Sequence, residues 1–290
     1  MSLRDRLSET FEPWELKHVE QSYDIIGDIA VIRIPEAIER KAKEIAEAVM
    51  QSNPHIKTVL RQTGPVTGEL RLRQLEWLIG EKRTETVHKE SSCLFKVDLE
   101  KCYFSPRLSF ERMRVAKQVV TGEVVVNMFA GVGCFSILIA KQAKPLKIYS
   151  IDVNSDAIRY MKENIRLNRA RYIVEAIEGD AKEVTTKRLL NVADRVLMPL
   201  PEKALEYLNI ALMALKPTGG MIHYYDFVHA GRDIDPIEEV KRKVSEKLQA
   251  ANVFSEYTFG RVVRTVGPRW FQVVLDINVH EKINRTSPLY

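Results

Sequence analysis

Val124-Val125-Val126-Asn127-Met128-Phe129-Ala130-Gly131-Val132-Gly133-Cys134-Phe135-Ser136 runs from a short apolar stretch straight into a glycine turn and out into an apolar-faced helix. The stretch suits a strand buried on both faces, and Gly131 and Gly133 permit backbone conformations and close approaches that a side chain would block. The turn can therefore meet a ligand with its main chain. N–H groups at the start of the following helix favour a carboxylate or phosphate. Lys147-Ile148-Tyr149-Ser150-Ile151-Asp152 then forms a second apolar strand, whose closing carboxylate lies roughly 20 residues after the glycines, the offset at which ribose hydroxyls are gripped. The glycines are spaced G-x-G with Ser136 where a third would stand, and the loop lacks a phosphate-binding lysine, which argues against a pyrophosphate. An adenosine whose tail ends in an amino-acid carboxylate fits better.

Outward from this pair, residues 101–290 alternate strand and helix. Strands are expected at Val124–Met128, Ile148–Asp152, Ile173–Ile177, Arg195–Met198 and Met221–Tyr225, with helices near Phe135–Gln142, at Ser155–Asn168, capped by Ser155, and at Glu202–Leu215. That alternation predicts a parallel sheet with helical crossovers. A helix at Pro236–Ala250 and two β-rich segments, Phe254–Val266 and Trp270–Val279, predict an antiparallel edge pair. Residues 1–100 read as a small α+β unit: a hairpin over Tyr23–Ile34 turning at Gly27-Asp28, a helix from Pro35 to Met50, and short strands at Thr58–Leu60, Thr84–His88 and Leu94–Asp98.

Composition sets outer bounds. The 290 residues are 45% apolar with no run long enough to span a bilayer, and Met1-Ser2-Leu3-Arg4-Asp5 is no signal peptide, so a cytoplasmic protein without a membrane is expected. Cys93, Cys102 and Cys134 are odd in number and too far apart for metal-binding pairs, so neither zinc nor a disulfide is expected. Net charge is +5, and basic residues gather at Arg61, Arg71, Arg73, Lys82 and Arg83 and again at Arg107, Arg112, Arg114 and Lys117. These clusters suit either a phosphate-contacting surface or ordinary solvated charge.

The Phe-Ala-Gly-Val-Gly turn with its acidic strand end resembles the first motifs of S-adenosylmethionine-dependent methyltransferases. Further segments narrow the resemblance: Tyr103-Phe104-Ser105-Pro106-Arg107-Leu108-Ser109-Phe110-Glu111-Arg112-Met113-Arg114, Gly68-Glu69-Leu70-Arg71-Leu72-Arg73-Gln74-Leu75 before Ile79-Gly80-Glu81, and Ile222-His223-Tyr224-Tyr225. Together these resemble the archaeal and eukaryotic tRNA (guanine-37-N1)-methyltransferase family, including its wyosine-pathway relatives, over nearly the whole chain. The resemblance implies a seven-stranded Rossmann-like class I methyltransferase domain at 101–290 behind a small RNA-binding domain at 1–100. It also implies S-adenosylmethionine as cofactor and tRNA as partner, and the chain is expected to act as a monomer. Fuller-length archaeal members carry a further small N-terminal domain, so this chain is expected to begin at the second.

Guanine N1 carries a proton and is a poor nucleophile, so transfer to it needs a base near N1 and positive charge near O6. By resemblance, Glu111 is the base and Arg71 the O6 stabiliser, although an ion-pairing Glu111 and a phosphate-holding Arg71 fit the residue types as well. The cofactor set is Asn127, Phe129, Ala130, Gly131, Gly133, Asp152, Asp180 and Pro199, with Asp152 on the ribose and Asp180 near the adenine, unless Asp180 is a turn aspartate. Tyr103, Arg107, Pro199, Leu200 and Pro201 are the substrate set, while Tyr103 and Phe104 also suit a core between domains. Two departures stand out. Met198-Pro199-Leu200-Pro201 puts proline where guanine-37 methylating members have asparagine, and Asn127 stands where the family commonly has an acid. Aminocarboxypropyl transfer, methylation of a wyosine-type base and a noncatalytic RNA-binding module are the alternatives.

Overall fold

The computed structural model describes residues 3–66 and 68–280. Met1, Ser2, Thr67 and residues 281–290, which include the outer ends of the expected two-unit division, lie outside the described residues. Helices α1 (Leu3–Leu7) and α2 (Pro13–His18) precede the hairpin of β1 (Asp24–Ile26) and β2 (Ile29–Ile32), which turns at Gly27-Asp28 as the alternation predicts. Helix α3 (Ala42–Ser52) is shorter than the apolar spacing predicts. Glu36–Lys41 form a 3-10 segment instead, in which the wholly buried Ile38 leaves helical geometry at φ −123°, ψ 18°. Apolar spacing marks a buried face, and a kinked segment can bury that face as well as a continuous helix. Strand β3 (Thr58–Gln62) runs parallel to β2, and the unanticipated β4 (Leu75–Gly80) completes a sheet in the order β1-β2-β3-β4. Strands β5 (Glu85–Glu90) and β6 (Cys93–Asp98) form a separate hairpin.

Helix α4 (Ser109–Gln118) leads into the second sheet. There follow β7 (Val124–Asn127), α5 (Cys134–Gln142), β8 (Lys147–Asp152), α6 (Ser155–Leu167), β9 (Val174–Glu178), α7 (Ala181–Arg188), β10 (Arg195–Met198), α8 (Pro201–Ala214), β11 (Gly220–His229), α9 (Pro236–Ala250), β12 (Ser255–Gly267) and β13 (Trp270–Val279). The strand order is β12-β13-β11-β10-β7-β8-β9, with β7 to β11 parallel and β13 antiparallel between β11 and β12, which is the expected seven-stranded Rossmann-like sheet. Val125, Val126, Val196 and Leu197 at its centre have no exposed surface, and each such side chain contributes about 1.5–3 kcal/mol of burial. Asn154, rather than Ser155, caps α6: its side chain accepts from the Asp156 and Ala157 N–H groups, since Ser155 already lies inside the helix. The β5/β6 hairpin is bound to α6, where Asn164 and Asn168 each accept from and donate to the backbone of Lys96 and Leu94.

Topology now fixes where a ligand can sit. From β7 the chain winds one way through β8 and β9, then returns to the other side of β7 as β10 and β11. The crevice at such a switch point, outside the carboxyl ends of the strands, is the ligand position in open α/β sheets.

Candidate active site

A cleft of about 750 Å³, partly continuous with solvent, lies at that switch point. Its floor is the ends of β7 (Met128, Phe129, Gly131), β8 (Asp152, Val153, Asn154) and β10 (Pro199, Leu200), with Asp180 beyond β9. Gly131 has φ +55° and Gly133 φ +91°, conformations that side-chain-bearing residues rarely adopt. A Cβ on Gly131 would meet only the Tyr103 carbonyl at 3.8 Å, so the turn keeps its main chain open to the cleft. Gly133 serves packing: a Cβ there would stand 2.8 Å from the Met161 side chain. Gly133 and Ala130 do not line the cleft; Ala130 is buried, donating to the Ile151 carbonyl.

Asp152 holds the turn in shape. Its Oδ2 accepts from the Gly131 N–H at 2.6 Å and its Oδ1 from the Asn154 N–H at 3.0 Å. Burial pushes its carboxyl up from the ordinary value, against the pull of these backbone donors. Each oxygen keeps a second lone pair, so the carboxylate can still accept from ligand hydroxyls. The open glycine turn beside a carboxylate with spare acceptors fits the nucleoside end of S-adenosylmethionine. Asp180 caps α7 by accepting from the Lys182 and Glu183 N–H groups, while its other oxygen accepts from Tyr207. Asp180 is therefore a helix cap that also faces the cleft, and Tyr207, which packs edge-on against Phe129 at 5.2 Å, is a lining residue that no sequence signal marked.

Asn127 lies beneath the turn, fully buried and absent from the lining. Its Nδ2 donates to Ser136 Oγ at 3.1 Å, Ser150 joins the same hydroxyl at 2.7 Å, and its Oδ1 has no partner. Its place is beneath the ligand turn, on the face of the sheet that α5 covers. Pro201 likewise falls outside the lining as the buried first residue of α8.

Across the cleft, Arg71 sits in the left-handed region at φ +54°, a conformation costing of order 1–3 kcal/mol for a residue with a side chain. Its guanidinium lies 4.5 Å from the Tyr103 ring centroid and 5.5 Å from that of Phe227, and it pairs with Glu202 at 3.2 Å. Its Nε is buried without a partner. Arg71 and Tyr103 also line a second, larger hollow with Arg33, Arg73, Arg107 and Arg264, so the two cavities share a wall. Burial opposes ionisation of the Tyr103 phenol, but Arg264 and Arg71 outweigh it and hold the group below its ordinary value. Arg107 pairs with Asp24 at 2.7 Å in that second hollow, and Phe104 is core, edge-on to His88.

Glu111 is not brought to the cleft. It is 1% exposed, accepts from Tyr225 Oη at 2.8 Å, and is clamped by Arg114 at 2.7 Å and Arg261 at 2.8 Å. The ion-pair reading of Glu111 therefore describes its observed partners. Much of the basic charge is also tied up in ion pairs within the protein: Arg73 with Asp24, Arg83 with Asp28, and Arg112 with Glu90, the last also donating to the Ser105 carbonyl. Cys93, Cys102 and Cys134 are free and buried; burial pushes the Cys102 and Cys134 thiols up to about 12, which leaves them unreactive. No helix among the described residues is long and apolar enough to cross a membrane.

With the geometry in place, likeness to known proteins adds to it. A family model described as the TRM5/TYW2 methyltransferase domain matches residues 86–253, and one described as the TYW2 N-terminal domain matches residues 3–84. The tRNA (guanine(37)-N(1))-methyltransferase Trm5b of Pyrococcus abyssi is 41% identical over 268 residues, 92% of this chain and 78% of that protein. Its crystal structure superposes with a TM-score of 0.83, covering 93% of this chain and 79% of that one at 40% identity. The tRNA 4-demethylwyosine(37)-methyltransferase Taw21 of Saccharolobus solfataricus is 39% identical over 284 residues, 96% of this chain and 99% of that protein. The structure of Methanocaldococcus jannaschii TYW2 in complex with AdoMet has a TM-score of 0.68 at 29% identity, covering 90% of this chain and 100% of that one. The chain belongs to the TRM5/TYW2 methyltransferase family.

Proposed function

We propose that this protein is an S-adenosylmethionine-dependent tRNA methyltransferase that modifies N1 of guanosine 37, beside the anticodon, acting as a monomer in the cytoplasm. The observation that carries the reading is the shared wall: Arg71 and Tyr103 face both the glycine-turn cleft and the arginine-lined hollow. One cavity suits the cofactor and the other a polyanion, so a base extruded from the RNA can meet the methyl donor between them. The cofactor supplies an electrophilic methyl group. Everything else falls to side chains.

In this scheme Asp152 and the Gly131 turn orient the donor, while Tyr103 and Phe227 hold the Arg71 guanidinium flat, so that it can exchange Glu202 for guanine O6 and stabilise the charge that gathers there. Glu111 remains the proposed acceptor of the N1 proton, on the family resemblance, and reaching N1 requires it to give up Arg261, the more exposed of its two guanidinium partners. A second reading has its own support. Pro199 lines the cleft without a side-chain donor or acceptor, and the 4-demethylwyosine methyltransferase is matched over nearly its full length, so a tricyclic base in place of guanine is the competing substrate.

The deciding assay offers the protein unmodified tRNA and, separately, tRNA carrying 4-demethylwyosine, with cofactor labelled either in the methyl or in the aminobutyrate carbons. Methyl label in 1-methylguanosine supports the first reading. Methyl label only in the tricyclic base supports the second, and label from the longer arm points to aminocarboxypropyl transfer. No label with tRNA still bound leaves a noncatalytic RNA-binding module.

A further inference from the structure

The segment Ile222-His223-Tyr224-Tyr225 has no part in the cleft, yet alternate residues of β11 place His223 and Tyr225 on one face, toward α4. His223 is wholly buried. Its Nδ1 lies 2.6 Å from Asp276 Oδ1 and its Nε2 lies 2.8 Å from Arg195 Nη1. An arginine can only donate, so Nε2 must be the acceptor and Nδ1 must carry the proton, which leaves a neutral imidazole in a single tautomer. Arg195 is itself held by Glu123 through two contacts, at 2.7 and 2.9 Å.

From Asp276 the string continues toward Glu111. Asp276 accepts from His223, from Arg114 Nη1 and Nη2 at 2.5 and 3.0 Å, and from Gln118 at 3.0 Å. Arg114 turns its other edge, Nε and Nη2, to both oxygens of Glu111. Tyr225 and Arg261 complete the set around Glu111, so α4, β11 and β12 face it directly and β13 through Arg114. Carboxylates at 123, 276 and 111 alternate with guanidiniums at 195, 114 and 261, and the neutral imidazole joins the two halves. We propose that His223 is a positioning residue for the transfer reaction, fixing the Glu111 carboxylate through Asp276 and Arg114.

This inference rests on the proposed role of Glu111. Burial favours the neutral imidazole and outweighs the Asp276 carboxylate, which pulls the other way. Protonation would set an N–H of His223 against an N–H of Arg195. A leucine at 223 would leave Asp276 one donor short and Arg195 Nη1 without its imidazole acceptor, allowing Arg114 to shift.

The test is a double-mutant cycle on the single-turnover transfer rate, at saturating cofactor, with whichever of the two tRNAs the label assay identifies. His223→Leu is expected to slow transfer by roughly tenfold or more while cofactor affinity, read by calorimetry, stays within about twofold. His223→Gln, which keeps a donor and an acceptor, is expected to recover part of the rate, and it serves alone if the leucine variant does not fold. His223→Leu added to Glu111→Gln should slow transfer no further than Glu111→Gln alone, because both act through one carboxylate. Equal slowing in both backgrounds, a parental rate for folded His223→Leu, or a nitrogen NMR signature of a charged or Nε2-protonated His223 at neutral pH overturns this inference alone. A parental rate for Glu111→Gln, or no transfer to either tRNA, overturns the reading of the site and this inference with it.

Discussion

The glycine-turn cleft and the buried charge string around Glu111 are built in opposite ways. In the cleft, Gly131, Asp152 and Asn154 come from one βαβ unit, and their mutual hydrogen bonds span at most 21 residues. In the charge string, Glu111 reaches Tyr225 across 114 residues and Arg261 across 150, while Arg114 reaches Asp276 across 162. A contiguous unit can announce its geometry in a short motif. A charge string drawn from four distant elements cannot, and it depends on charge pairs that are stable only when every member is present.

That contrast can be broken most sharply at Arg114. It lies between two carboxylates that are each 1% exposed, so Arg114→Leu leaves both short of their main counter-charge. Removing one partner of a buried ion pair typically costs about 3–5 kcal/mol, and denaturant unfolding should show a loss of that order. A loss below about 1 kcal/mol would mean that the string is screened by solvent and is no more demanding than the local turn of the cleft.

Asp276 adds a pH dependence. Burial raises its carboxyl, but hydrogen bonds from His223 and Arg114 dominate and hold it well below the ordinary carboxylate range. A carboxyl depressed in the folded state contributes stability that is fully present above its unfolded value near pH 4 and is lost as pH falls through the folded value. Asp276→Asn should therefore cost about 2–3 kcal/mol at neutral pH, and that deficit should shrink as the parent is taken below about pH 4. A deficit independent of pH would sink the ionic account.

On the cofactor side, Asp152→Ala should act on binding more than on folding. The Gly131 and Asn154 N–H groups lose their acceptor, and the ligand hydroxyls lose theirs, for about 1–2 kcal/mol, or roughly tenfold in the cofactor dissociation constant. Calorimetry giving parental affinity would detach the carboxylate from the ligand and leave it a purely structural brace.

The same contrast explains what the sequence made legible. The order of β7 to β11, the limits of β10, α9 and β13, and the β12/β13 pair follow from apolar runs and breakers that act locally. Arg71 and Tyr103, far apart in the chain, both line the cleft, with the guanidinium against the phenol ring, a contact that no local pattern marks. Asn127 joins the cofactor set because it stands where the family commonly has an acid, yet residues alternate across a sheet and its side chain lies on the face covered by α5, bonded to Ser136. The ion pair of Glu111 with Arg114, three residues on, is legible, but its burial is not, because Tyr225 and Arg261 lie on strands far along the chain, and β4, half-exposed on an edge, carries no alternation strong enough to mark it.

The smallest expected effect separates the two roles of Asn154. Its Oδ1 caps α6, accepting from Asp156 and Ala157, while its Nδ2 donates to the Lys101 carbonyl at 2.8 Å, joining α6 to the segment that leads into Tyr103. Asn154→Ala removes both contacts and should cost about 1 kcal/mol or slightly more. Asn154→Asp keeps the cap acceptor and adds a favourable charge at the helix N-terminus, but it loses the donor to Lys101. If capping dominates, thermal unfolding should show the aspartate variant near the parent and the alanine variant well below it. If the bridge to Lys101 dominates, the two variants should fall together, and the link between the glycine-turn cleft and the segment carrying Tyr103 would then run through this side chain.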